Sequence, residues 1–142
     1  STFLSFLVGA RIRSQAIAEV NQQGFQIMHA MTSTIRNGRS IQVPSLGTAS
    51  STLSVTTGVP LLDPTVFSIS SSTLLIREAS NSPIPLTNSR VTLSDLLFEN
   101  ISSSSSLDRI VRISFTINHN NLSDRNEYTF TKNFTGSATL RQ

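Results

Sequence analysis

Hydrophobic positions along the first forty residues recur mostly at four-residue steps, with one of seven. Ile12, Ala16, Val20, Ile27, Met31 and Ile35 form one stripe, with Phe25 and Met28 beside it. Gln15, Glu19, Asn21, Gln22, Gln23 and Gln26 lie between them as a wet face. The pattern predicts a single helix over residues 1–38. Asn37 and Gly38 suit a left-handed stop, and Arg36 and Arg39 suit the negative end of the helix. From about residue 66 the period becomes two. Phe67 and Ile69, Leu74 and Ile76, Val91 and Leu93, and Val111, Ile113, Phe115 and Ile117 alternate with polar residues. Tyr128, Phe130 and Phe134 lead a last strand. Residues 39–65, rich in Pro, Gly, Ser and Thr, read as a connecting loop around one short strand, 52–57. The expected class is α+β: a long N-terminal helix packed on antiparallel β-sheet, with residues 66–142 as the sheet region and the whole as one domain.

The start of the helix is different in kind. Phe3, Leu4, Phe6, Leu7 and Val8 are apolar and precede Arg11 and Arg13. Eight residues are too few to span a bilayer, which takes about 20. They read as the outer end of a longer apolar helix. A helix of about 38 residues would run on the order of 55 Å, more than a small domain can cover by itself.

Composition narrows the function. The chain has 142 residues, and only 13% are charged. Ser and Thr together number 41, and there are no cysteines. Disulfides, thiolate metal sites and a Cys nucleophile are excluded. The surface is wet by hydroxyls rather than by charge, which points to an exported or surface protein. The net charge of +3 comes from ten Arg and one Lys, scattered along the chain. They form no basic tract. Arg11, Arg13, Arg36 and Arg39 are the candidate anion or DNA contacts.

Catalytic chemistry is hard to find. His29 and His119 have no nucleophile or metal-ligand spacing around them. The turn at 118–127 offers oxygen atoms for calcium but lacks the EF-hand pattern. Triplets beginning at Asn100, Asn121 and Asn133 fit the N-glycan acceptor pattern, as chance predicts in so hydroxyl-rich a chain. No catalytic residue, metal or cofactor is assigned.

The segment "RSQAIAEVNQQGFQIMHAMTSTIRNGRSIQVPSLG" resembles the post-membrane helix of bacterial type IV pilin-like proteins, above all minor pilins and type II secretion pseudopilins. Glu19, Val20, Gln23, Gly24, Met28, Ile35, Arg36, Asn37, Gly38 and Pro44 carry the likeness, together with residues 85–101 and 130–141. The family's processed start, with its methylated Phe, nearby Glu and apolar run of about 20 residues, does not match any part of this sequence.

The resemblance implies the pilin fold and a structural subunit that is not an enzyme. It implies anchoring in the inner membrane through a segment preceding Ser1, then assembly with other pilin or pseudopilin subunits into a filament at the cell surface. Phe3, Leu4, Phe6, Leu7 and Val8 would pack in the filament or membrane. Ile12, Ala16, Val20, Gly24, Ile27, Met31 and Ile35 would pack the helix on its sheet. The alternative is a surface binding module, a pilus-tip adhesin or a DNA-binding minor pilin.

Overall fold

The computed structural model describes residues 2–88, 90–102, 109–119 and 130–140, with the backbone alone for residues 2–13. Helix α1 runs Thr2–Asn37, 36 residues. It ends where Gly38 donates to the Ile35 carbonyl at 3.2 Å. No Cβ would fit at Gly38, because Val55 already fills the space. Within the last turns the Thr32 and Thr34 hydroxyls donate to the carbonyls of Met28 and Ala30, each at 2.8 Å. These hydroxyls satisfy themselves locally, so Thr32 can be buried.

After the helix come β1 Ser40–Val43, β2 Ala49–Ser50 and β3 Leu53–Thr56. A short 3₁₀ turn, Pro60–Leu62, precedes β4 Thr65–Ser70, β5 Thr73–Glu78 and β6 Ile84–Pro85. β7 Val91–Asn100, β8 Arg109–His119 and β9 Thr131–Leu140 complete the described strands. They form two antiparallel sheets, one in the order β1-β3-β4-β5-β6 and the other β2-β7-β8-β9.

This overturns the expected fold class. The chain is not α+β with a long helix on a sheet, and the pilin layout implied by the resemblance falls with that class. It is a mostly-β fold, two antiparallel sheets accompanied by one helix, with more of the described residues in strands than in the helix. The physical reason lies in residues 39–65. Their Ser, Thr, Pro and Gly read as punctuation, but they supply β1, β2, β3 and the start of β4. Thr tolerates the pleated surface as well as it does a turn. Here Leu53 and Val55 bury one face of β3, and Ser54 is buried on the other, where its hydroxyl meets the Gln42 amide at 3.2 Å. Residues 39–65 thus give three strands and the start of a fourth where one short strand was expected.

The two sheets are joined at a turn. Ser71 and Ser72 both have positive φ, 50° and 62°, and close β4 on β5 as a two-residue hairpin. β2 covers only Phe98 and Glu99 of β7. Near the other end of β7, Leu93 donates to the Ser72 carbonyl at 2.9 Å. The hairpin tip of the first sheet therefore serves the otherwise open edge of the second. Between Ser94 and Leu97 the β7–β8 register shifts, with Asp95 at φ 54°, which is a bulge. One continuous core joins α1 and both sheets, built on Val20, Ile27, Met31, Ile35, Leu53, Phe67, Phe98, Phe115 and their neighbours.

Candidate assembly surface

α1 lies chiefly on β9 and then on β8. Ala16, Val20, Gly24, Ile27, Met31 and Ile35 are all buried along this seam. Ile12 belongs with the residues whose side chains are not described, as do Phe3, Leu4, Phe6, Leu7, Val8, Arg11 and Arg13. Arg36 and Arg39 are exposed at the far end of the helix. Of the four candidate arginines, the side chains of Arg36 and Arg39 alone are described, and no anion site is seen at them among the described residues.

Two glycines set the distance between helix and sheet. A Cβ at Gly24 would overlap the ring of Phe134 on β9. A Cβ at Gly136 on β9 would stand 2.8 Å from the Met28 sulfur. Each surface gives up a side chain where the other inserts one, so the helix sits close to the strand. Gly24 stood out in the sequence, but Gly136 did not. A glycine inside a strand is a signal for close approach, and it was there to be read.

Phe134 also organises a run of rings. It stacks on buried Phe115 at 5.2 Å between centroids and meets Phe25 edge-on at 6.0 Å. Phe25, on the helix flank above β9, is 63% exposed. The Lys132 ammonium donates to the Asn21 side-chain oxygen at 2.8 Å and lies 5.5 and 5.2 Å from the ring centres of Phe25 and Phe134. The one lysine of the chain is therefore a clamp between helix and strand, which its scatter in sequence did not suggest.

The opposite flank of α1 is polar. Glu19 accepts a hydrogen bond from the Asn88 amide at 2.8 Å and pairs with Arg90 at 3.8 Å. Beside them is a groove of about 460 Å³ lined by Gln15, Glu19, Gln22, Arg90 and His119 among others. His119 has its Nδ1 buried without a hydrogen-bond partner among the described residues. His29 is exposed on the helix. Among the described residues no group of His, Asp or Glu could hold a metal ion. Asn100 is buried and donates to the Pro44 carbonyl at 3.1 Å, which removes it as a glycan acceptor. Asn133 is exposed on β9, while Asn121 and most of the turn considered for calcium lie outside the described residues. Among the described residues no helix is long and apolar enough to cross a membrane.

No protein-family model, curated protein or solved structure matches this chain.

Proposed function

We propose that the chain is a structural subunit of a surface filament, a type IV pilus or related pseudopilus, that assembles through the first part of α1. The observation that carries this reading is the length of α1 against the surface it packs on. Its 36 residues span about 54 Å at 1.5 Å each. Its described buried positions run from Ala16 to Ile35, about 29 Å on the same measure. β9, with ten residues, spans about 33 Å and so matches that stretch and little more. The helix continues before Ala16 through a sequence whose apolar residues include Phe3, Leu4, Phe6, Leu7 and Val8. Each such residue, if covered by a neighbouring subunit or by lipid, contributes roughly 1.5–3 kcal/mol. A repeated contact of that size holds a polymer. The exposed hydroxyls and low charge suit an exterior whose copies must not repel one another.

The test uses the full-length protein, epitope-tagged, in its native host. Immunogold label is expected along sheared surface filaments. Label confined to the cell envelope, with bare filaments, overturns the reading. Phe6→Asp should clear the filaments of label without lowering the amount of protein in the cell.

A further inference from the structure

β9 is an open edge. His119 donates to the Phe130 carbonyl at 2.9 Å, which sets the parity of the β8–β9 ladder. Lys132, Phe134, Gly136, Ala138 and Leu140 then exchange hydrogen bonds with β8. The N–H and C=O groups of Thr131, Asn133, Thr135, Ser137 and Thr139 point away from it. These five residues are exposed, and among the described residues β9 has β8 as its only strand neighbour. Natural edges are blunted by shortness, bulges, Pro or outward Lys. This one is ten residues long, keeps an unbroken register with β8, and has no charge or proline at its outward positions. Its single cation, Lys132, is turned to the helix and held by Asn21.

We propose that this edge pairs with the same edge of a second copy, antiparallel about a two-fold axis at Thr135. Three features fit this occupant. First, the outward pairs would be Thr135 with Thr135, Asn133 with Ser137, and Thr131 with Thr139, all neutral groups that hydrogen-bond across a ladder. Second, Phe134 of each copy, its ring already held under its own Gly24, would stand opposite Gly136 of the other, so no two bulky β9 side chains meet under the helices. Third, the helices have room. With α1 taken midway between β9 and β8, the two strands it packs on, it would be about half a strand spacing inside the edge, and the axis half a spacing outside it. The two helices would then run side by side about 10 Å apart, which is a normal packing distance. Phe25, largely exposed on the overhanging flank, would face that seam. The helices in this pair run in opposite directions. The contact is therefore independent of the filament reading and belongs to the free protein.

The test exploits the absence of cysteine from the chain. Across the axis the two Thr135 Cα atoms would be about 5.5 Å apart, within disulfide range. Under mild oxidation Thr135→Cys should cross-link to a dimer. Thr139→Cys alone should not, because the two copies of that site would be about 27 Å apart. A mixture of Thr131→Cys and Thr139→Cys should cross-link. In sedimentation the unmodified chain should dimerise with rising concentration. Thr135→Pro, whose lost N–H points outward, should weaken dimerisation by at least about tenfold while circular dichroism stays unchanged. If that variant misfolds, Thr135→Lys supplies the same block without a backbone change. A chain monomeric at every concentration, or Thr139→Cys cross-linking as well as Thr135→Cys, overturns the proposal.

Discussion

The ring of Phe134 occupies the space that a side chain at Gly24 would need. Helix and sheet are interlocked there, and the lock has a sign that can be measured. Gly→Ala inside a helix ordinarily stabilises by about 1 kcal/mol. At position 24 the overlap with the ring reverses this. Gly24→Ala should destabilise by about 1–3 kcal/mol in urea unfolding. Combining it with Phe134→Leu should cost less than the two changes summed, because both act on one contact. A Gly24→Ala protein more stable than the parent would refute the interlock.

The helix should divide into two parts by stability. Val20 and Ile27 are fully or nearly fully buried, at 0% and 2% exposure. Val20→Asp or Ile27→Asp places an unpaired charge in the core and should unfold the chain. The milder Ile27→Ala should cost about 2–5 kcal/mol. Leu4→Asp and Phe6→Asp should leave the melting temperature within a few degrees of the parent. Equal losses at both ends of α1, read by circular dichroism, would show that the start of the helix is part of the same core.

The Ser71–Ser72 turn is improvable. Both residues hold positive φ, which Asn and Gly adopt more readily than Ser. Replacing the pair by Asn-Gly should raise stability by about 0.5–2 kcal/mol. The Ser72 carbonyl still accepts from Leu93, since that bond uses the backbone alone. A fall in stability would mean that the serine hydroxyls, not the backbone, matter at the tip.

These three sites also show what the chain reveals before it folds. The stripe from Ala16 to Ile35 is visible because helix spacing and burial agree residue by residue. β8 is visible for the same reason, with Val111, Ile113, Phe115 and Ile117 all turned inward. The strands before β4 are largely hidden. β1 has one half-buried apolar residue, Ile41, and β2 has only two residues. Their pairing comes from neighbours far along the chain, which no local period records. The Ser71–Ser72 turn is hidden as well, because it lacks the Gly or Asn that would mark it. The open edge of β9 follows from sheet order, which is a property of the assembled fold.

Lys132 gives a fourth test. Its ammonium bonds Asn21 and lies over two rings. Lys132→Met keeps most of the apolar stem and removes the charge. The expected loss is about 0.5–2 kcal/mol, and Phe25→Leu should make the second change smaller when combined with the first. Additive losses in that pair of variants would mean that Phe25 and Lys132 act separately.

The bond between Lys132 and Asn21 joins residues 111 positions apart. The strand that covers α1 most is thus the last described one to be made. During synthesis at about 5–20 residues per second, the stripe from Ala16 to Ile35 waits on the order of 10 s for β9 to leave the ribosome. Over that interval the nascent helix has an apolar face and no sheet. Folding is therefore held open until β9 has been made, and whatever binds the helix in the meantime competes with that strand.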